Sequence, residues 1–274
     1  MYRKVTISFL SSLYKTTALR YFLELSYKGT AYHGWQRQPN ALSVQECIEE
    51  ALSTLLGNKI SILGAGRTDT GVHALQMFAH FDTDTIPTTA EDLVYRLNGF
   101  LPNDISVKTI QRVANDAHAR FDATSRSYIY KLIQDKNPFL TDQAYYFKPT
   151  LDIDAMNQAA ALFLDHQNFK CFSRSKTDVK TFDCDVRAAY WERQSDLWVF
   201  HITANRFLRN MVRAIVGTLL DVGVGKTTID AVQQILHSQD RTKAGSSAPA
   251  YGLFLTQISY PNTIFDPNGA QSKK

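Results

Sequence analysis

Cysteine is scarce in this 274-residue chain, with Cys47, Cys171 and Cys184 as the whole supply. An odd count with no CxxC pair excludes a disulfide framework and a cysteine-rich zinc site. It leaves thiols buried in a reducing compartment, and Cys47 falls in a helical pattern that suits this. The histidines, at 33, 73, 80, 118, 166, 201 and 237, show neither HxxxH nor HExxH spacing, so no metal is expected. No apolar run approaches the length of a membrane span. Arg3 and Lys4 precede Ile7-Ser8-Phe9-Leu10 in weak imitation of a signal peptide. That run is too short, Lys15 and Arg20 follow it closely, and no small-residue cleavage site appears. Residues 1–18 are therefore expected to be a dispensable, disordered extension or the product of an upstream start codon.

Two nucleotide-binding patterns begin and then break. Gly64-Ala65-Gly66 opens like GxGxxG, but Asp69 stands where the third glycine belongs, and its charge would repel a pyrophosphate. Gly225-Lys226-Thr227 resembles the end of a phosphate-binding loop, but its first glycine position is Leu220, on a segment that reads as helix. No nucleotide cofactor is expected. Glycine (13) and proline (8) are few, 44% of residues are hydrophobic and 20% charged, which describes a folded chain rather than a disordered one. A net charge of +4 permits nucleic-acid binding without requiring it.

Strands and helices interleave along the chain. Alternation predicts strands over Tyr21–Tyr27, Ile60–Leu63, Gln76–Phe81, Ile105–Val113 and Tyr128–Ile133, a hairpin of Val186–Trp191 with Trp198–Ala204, and a last strand over Leu253–Tyr260. Helical spacing predicts helices after Ser43, with Glu46 completing a capping box, and over Thr89–Leu97, Asp154–Leu164, Arg206–Leu220 and Thr228–His237. The expected organisation is an extension (1–18), an α+β half (19–116), a second α+β half (117–262) and a polar tail (263–274).

Chemistry gathers in two places. The segment Gly64 to Ala74 is glycine-rich, so its backbone can turn sharply and admit a ligand closely. Arg67 and Asp69 stand two apart and can converge on one ligand, with Asp69 as nucleophile or base; a turn braced by an Arg–Asp ion pair is the plainer alternative. The second place is the predicted Arg206–Leu220 helix. There Arg206, Arg209 and Arg213 are spaced i, i+3, i+7 and share a face suited to phosphates, or merely to solvent. Arg213 nears the apolar end and wants an anionic partner, for which Asp69 is a candidate. Tyr128, following Arg126, could stack on an exposed base or simply pack in the core.

Taken together, these segments resemble the tRNA pseudouridine synthase A family from about Arg20 to Pro261. The resemblance is carried by Gly64–Ala74 (GAGRTDTGVHA), Tyr27–Gln36 (YKGTAYHGWQ), Ala119–Thr124 (ARFDAT) with Arg126 and Tyr128, Phe207–Gly217 (FLRNMVRAIVG), and Ala248-Pro249 with Gly252-Leu253. It implies an isomerase with Asp69 as catalytic nucleophile. Arg67 would enter the stack that the base leaves, Tyr128 would pack on the target base, and Arg213 would pair with Asp69. Arg206, Arg209 and Leu253 are counted with the substrate-binding residues, and Thr70 departs from the alanine usual in the family loop. The implied fold is α+β, two similar halves with mainly antiparallel sheets flanked by helices around a central cleft. The implied enzyme is a cytoplasmic homodimer needing no cofactor. It would act on uridines 38, 39 and 40 in the anticodon stem-loop of tRNA. The base would have to leave its stack at a cost of roughly a few kcal/mol. A non-catalytic structured-RNA-binding protein is the alternative, but it leaves unexplained an aspartate set among cations, where it weakens phosphate binding.

Overall fold

Alternating apolar residues make Leu19–Tyr27 a strand, β1, with Leu23, Leu25 and Tyr27 buried on one face. The structure is a computed structural model and describes residues 18–174 and 179–265. Helix α1 (Val44–Leu56) starts where the Ser43 hydroxyl accepts the Glu46 amide at 3.3 Å and stops at Gly57, whose φ of +72° breaks the helical path. The reciprocal half of the expected capping box is not made. The Glu46 carboxylate pairs instead with Arg37, at 3.2 Å.

The strand expected over residues 60–63 shrinks to β2 (Leu63–Gly64). The reason is local. Side chains of α1 take its amides, Ser53 Oγ accepting from Ile60 and Glu49 Oε1 from Ile62, so no strand partner is needed. Next come β3 (His73–Thr83), α2 (Ala90–Phe100, capped by Thr89) and β4 (Ile105–Arg112). The second half runs β5 (Ser125–Ile133), β6 (Tyr145–Tyr146), α3 (Ile153–Ala161), β7 (Val186–Gln194), β8 (Leu197–Ala204), α4 (Met211–Gly223), α5 (Ile229–Ser238) and β9 (Leu253–Ser259).

One expectation needs correction. The helix predicted from Arg206 begins at Met211, because Asn210 sits in the left-handed region at φ +66° and interrupts it. Arg206 and Arg209 therefore lie on the approach to α4, not on a helical face shared with Arg213. The expected tail is also modified at its start. Asn262–Phe265 forms a 3-10 turn, and Ile264 is buried in the core of the first half. The rest of the tail, and residues 1–17 of the expected extension, lie outside the described residues.

The strands form one nine-stranded sheet, ordered β4-β1-β3-β9-β5-β8-β7, with β2 added to β3 and β6 to β5. Pairing is mostly antiparallel. The exceptions are β5 with β6, and β3 with β9 at His73↔Phe254 and Ala74↔Leu255. The last strand thus sits at the centre and joins the two halves. Each half has its own apolar core. The loop between β2 and β3 belongs to both: Ala65 is buried in the first core and Val72 in the second. Asp69 lies on the span between them. Among the described residues no helix is long and apolar enough to cross a membrane.

Candidate active site

The loop carrying Asp69 is held at both ends and in its middle. At its start, the Ala65 amide donates to Phe78 O at 2.7 Å. In the middle, the Trp35 amide donates to Thr68 O at 3.2 Å, and Tyr27 Oη lies 2.8 Å from Thr68 Oγ1. Gly34 makes this close approach possible. Its φ is +91°, and a Cβ there would lie 2.4 Å from Thr68 O. At its end, buried His73 accepts the Gly29 amide on Nδ1 at 3.0 Å, while Nε2 faces Asp142 O and Tyr251 O at 2.9 and 3.0 Å. Two carbonyls require a proton on Nε2, so the ring is the neutral Nε2–H tautomer, and burial lowers its pKa in the same sense. His73 is thus a structural pin, joining the loop's exit to residues far away in sequence.

Held this way, Asp69 meets two guanidinium groups. Arg213 Nη1 lies 3.7 Å from Oδ2 and Arg209 Nε lies 3.9 Å from Oδ1. Both are ion pairs too long to be hydrogen bonds. Among the described residues the carboxylate accepts no hydrogen bond, and 30% of the side chain is exposed. Its lone pairs are free and reachable, as a nucleophile requires. Arg213 is fixed in turn. Its Nε donates to Ala248 O at 2.7 Å, and its own carbonyl accepts the Ala248 amide at 2.9 Å.

Tyr128 projects from β5, half-buried, and meets the Phe207 ring edge-on at 5.2 Å. Burial, with a smaller push from the Asp69 charge and against the pull of Arg126, raises its phenol to about 12. The phenol is therefore protonated at neutral pH. In the resting site it presents an aromatic face and a protonated hydroxyl.

The structure brings Asp69, Arg209, Arg213 and Tyr128 together. Arg67 is exposed on the same loop, and among the described residues it makes no ion pair. Arg206 is half-buried and lies near Arg126 rather than in contact with Asp69. Leu253 is 5% exposed at the start of β9, opposite Tyr130, and packs in the second core. Among the described residues no group of three His, Cys, Asp or Glu side chains converges.

Arg126 is the residue that sequence reasoning undervalued. Its Nη1 donates to Ala123 O and Asn205 O at 2.9 and 2.8 Å, and its Nη2 to Ala65 O and Arg120 O at 3.2 and 2.6 Å. One guanidinium ties the root of the Asp69 loop to the segment that delivers Arg206 and Arg209. The available signal was its place two residues before Tyr128, hence on the same strand face.

Comparison with known proteins points to a family. A family profile described as tRNA pseudouridine synthase matches residues 25–122 and 159–261. Proteins named tRNA pseudouridine synthase A are similar along most of their length. That of Porphyromonas gingivalis is 51% identical over 250 residues, covering 90% of this chain and 99% of its own. The Bacteroides fragilis protein is 50% identical over 248 residues, with 90% and 98% covered. The Caldicellulosiruptor bescii protein is 42% identical over 241 residues, with 87% and 98% covered. With one profile spanning both halves and half-identical relatives aligned nearly end to end, this chain belongs to the tRNA pseudouridine synthase family.

Proposed function

We propose that this chain converts uridines 38, 39 and 40 of the tRNA anticodon stem-loop to pseudouridine, with Asp69 as nucleophile. The carrying observation is an accessible carboxylate that accepts no hydrogen bond among the described residues and stands between Arg209 and Arg213. The reaction is an isomerisation. The N1–C1′ bond breaks, the base turns, C5 bonds to C1′, the C5 proton leaves and N1 gains one. Nothing is oxidised or reduced, so carboxylate, cations and an aromatic face suffice. Asp69 acts on an electrophilic carbon of the nucleoside, C6 of the ring or C1′ of the ribose. Tyr128 receives the displaced base on its ring, and Arg67 fills the gap in the stack. Stacking and insertion offset the roughly few kcal/mol that extrusion costs. The enzyme is proposed to work in the cytoplasm as a homodimer, so that one tRNA meets cations from both subunits.

The test is release of tritium from tRNA labelled at uridine C5. The chain should release it from transcripts bearing uridine at 38–40 and not from transcripts with cytidine there. Asp69→Asn keeps size and loses the nucleophile, so release should fall to background while tRNA affinity holds. Substantial release by Asp69→Asn would place the chemistry on another residue.

A further inference from the structure

The Arg126 hub gathers more than the Asp69 loop. Ala65 O and Arg120 O are both bonded to its Nη2, so the turn containing Arg120 lies directly beside the root of the catalytic loop. That turn is tightly built. The His118 amide donates to Asp122 Oδ2 at 2.7 Å, and the Asp122 amide returns to His118 O at 3.1 Å. His118 Nδ1 accepts the amides of Arg120 and Phe121 at 3.1 and 3.2 Å.

On this rigid turn Phe121 is 73% exposed. The His118 ring flanks it at 4.2 Å, and the Arg120 guanidinium lies 5.6 Å from its centroid. An apolar ring left in water on a braced turn is unfavourable in the free protein. It is also ready to bind, because little freedom remains to be lost. We infer that Phe121, backed by Arg120, is a stacking platform for an unpaired nucleobase of the tRNA beside the target uridine.

The choice of occupant rests on charge and continuity. The Arg120 guanidinium lies beside the ring, and Arg206 is near enough to the Arg126 hub to act on its charge, a cationic setting that suits a base attached to phosphate. Arg126 makes the platform continuous with the Asp69 cleft. A base stacked here would hold the strand beside the extruded uridine, a contact separate from that of Tyr128 with the uridine itself. The inference rests on tRNA being the substrate.

Four proteins test it: wild type and Phe121→Ala, Phe121→Leu and Phe121→Trp. Each is titrated with unmodified tRNA, sedimented, and assayed for tritium release. Base–aromatic stacking of about 1–3 kcal/mol predicts that Ala weakens binding about 5- to 150-fold, at tenfold per 1.4 kcal/mol. Trp should bind like wild type, and Leu should fall with Ala, since it is apolar without a ring face. Wild-type affinity in Phe121→Ala overturns the platform, and so does Leu equal to Trp. A changed sedimentation coefficient in Phe121→Ala also overturns it, by assigning the ring to a protein interface. A wild-type chain that binds no tRNA refutes the substrate reading and the platform with it. A wild-type chain that releases tritium beside an unaffected Phe121→Ala refutes the platform alone.

Discussion

At the scale of single residues, the arginines near Asp69 divide by reach. Arg213 touches the carboxylate and is itself held by Ala248, so its removal should disturb the chemical step. Arg206 makes no ion pair among the described residues, so it is free to meet phosphate. Single-turnover rates should drop in Arg213→Ala at saturating tRNA. Arg206→Ala should instead bind more weakly and flatten the log–log salt dependence by about 0.7–0.9. Arg209, exposed yet 3.9 Å from Asp69, should show a share of both effects. A lowered salt slope with normal turnover in Arg213→Ala would reverse the assignment. The pairing of Asp69 with Arg213 was legible beforehand as a candidate, and the structure places the two 3.7 Å apart, whereas Tyr128 was singled out from ordinary core packing only by the family resemblance. That Arg209 joins Asp69 was not legible. The three arginines read as one helical stripe, and nothing local shows that Asn210 adopts a left-handed backbone.

Elements are held to one another by a few polar anchors, and these carry the stability predictions. Arg126 satisfies four carbonyls drawn from the Asp69 loop, the Arg120 turn and the end of β8. Hydrogen bonds to a charged group contribute roughly 1.5–3 kcal/mol each, and far from additively. Arg126→Ala should therefore cost about 3 kcal/mol or more, read as a lowered urea midpoint, with tritium release lost in step. An unshifted midpoint would show the hub to be dispensable. Buried histidines set the pH response. His80 on β3, which accepts the Ala119 amide, is lowered to about 4, chiefly by burial and then by Arg20 and His118; His73 moves the same way. Below about pH 6.5 the unfolded chain takes up protons that the native histidines refuse. Stability should thus be full above that pH and fall as pH drops toward 4, where His80 protonates in the fold too. For His80 alone the span corresponds to about 3 kcal/mol. Carboxylates with lowered values, such as Asp82 beside Arg20, lose their contribution only further into acid. Urea midpoints at pH 7 and pH 5 check this. His80→Asn, which retains an acceptor for Ala119, should flatten the difference, and equal slopes in variant and wild type would contradict the account. Element identities were mostly legible because periodicity and caps are local. The shortened β2 was not, since the amides of Ile60 and Ile62 are taken by α1 side chains that no strand pattern reveals.

For the whole molecule, a net charge of +4 gives one chain little positive surface to set against a tRNA. Sedimentation at micromolar concentration should report a dimer, and a fully active monomer would exclude shared binding. The order of the sheet could not be read from the sequence either. Alternation marks Leu253–Ser259 as a strand but says nothing of its neighbours, and its place between β3 and β5 emerges only in three dimensions. That placement has a consequence for synthesis on the ribosome. Chains emerge N-terminus first, and early segments can fold while later ones are still being made. Here β4-β1-β3 and β5-β8-β7 can each assemble as a separate sheet, but the strand that joins them is the last of the described strands to be translated. The carbonyl of Tyr251 that pins His73, and that of Ala248 that holds Arg213, arrive in the same final stretch. A nascent chain stalled before residue 248 therefore carries Asp69 without the contacts that fix Arg213 and His73. The joining of the two sheets and the fixing of His73 and Arg213 are thus late events of synthesis, completed by one and the same segment.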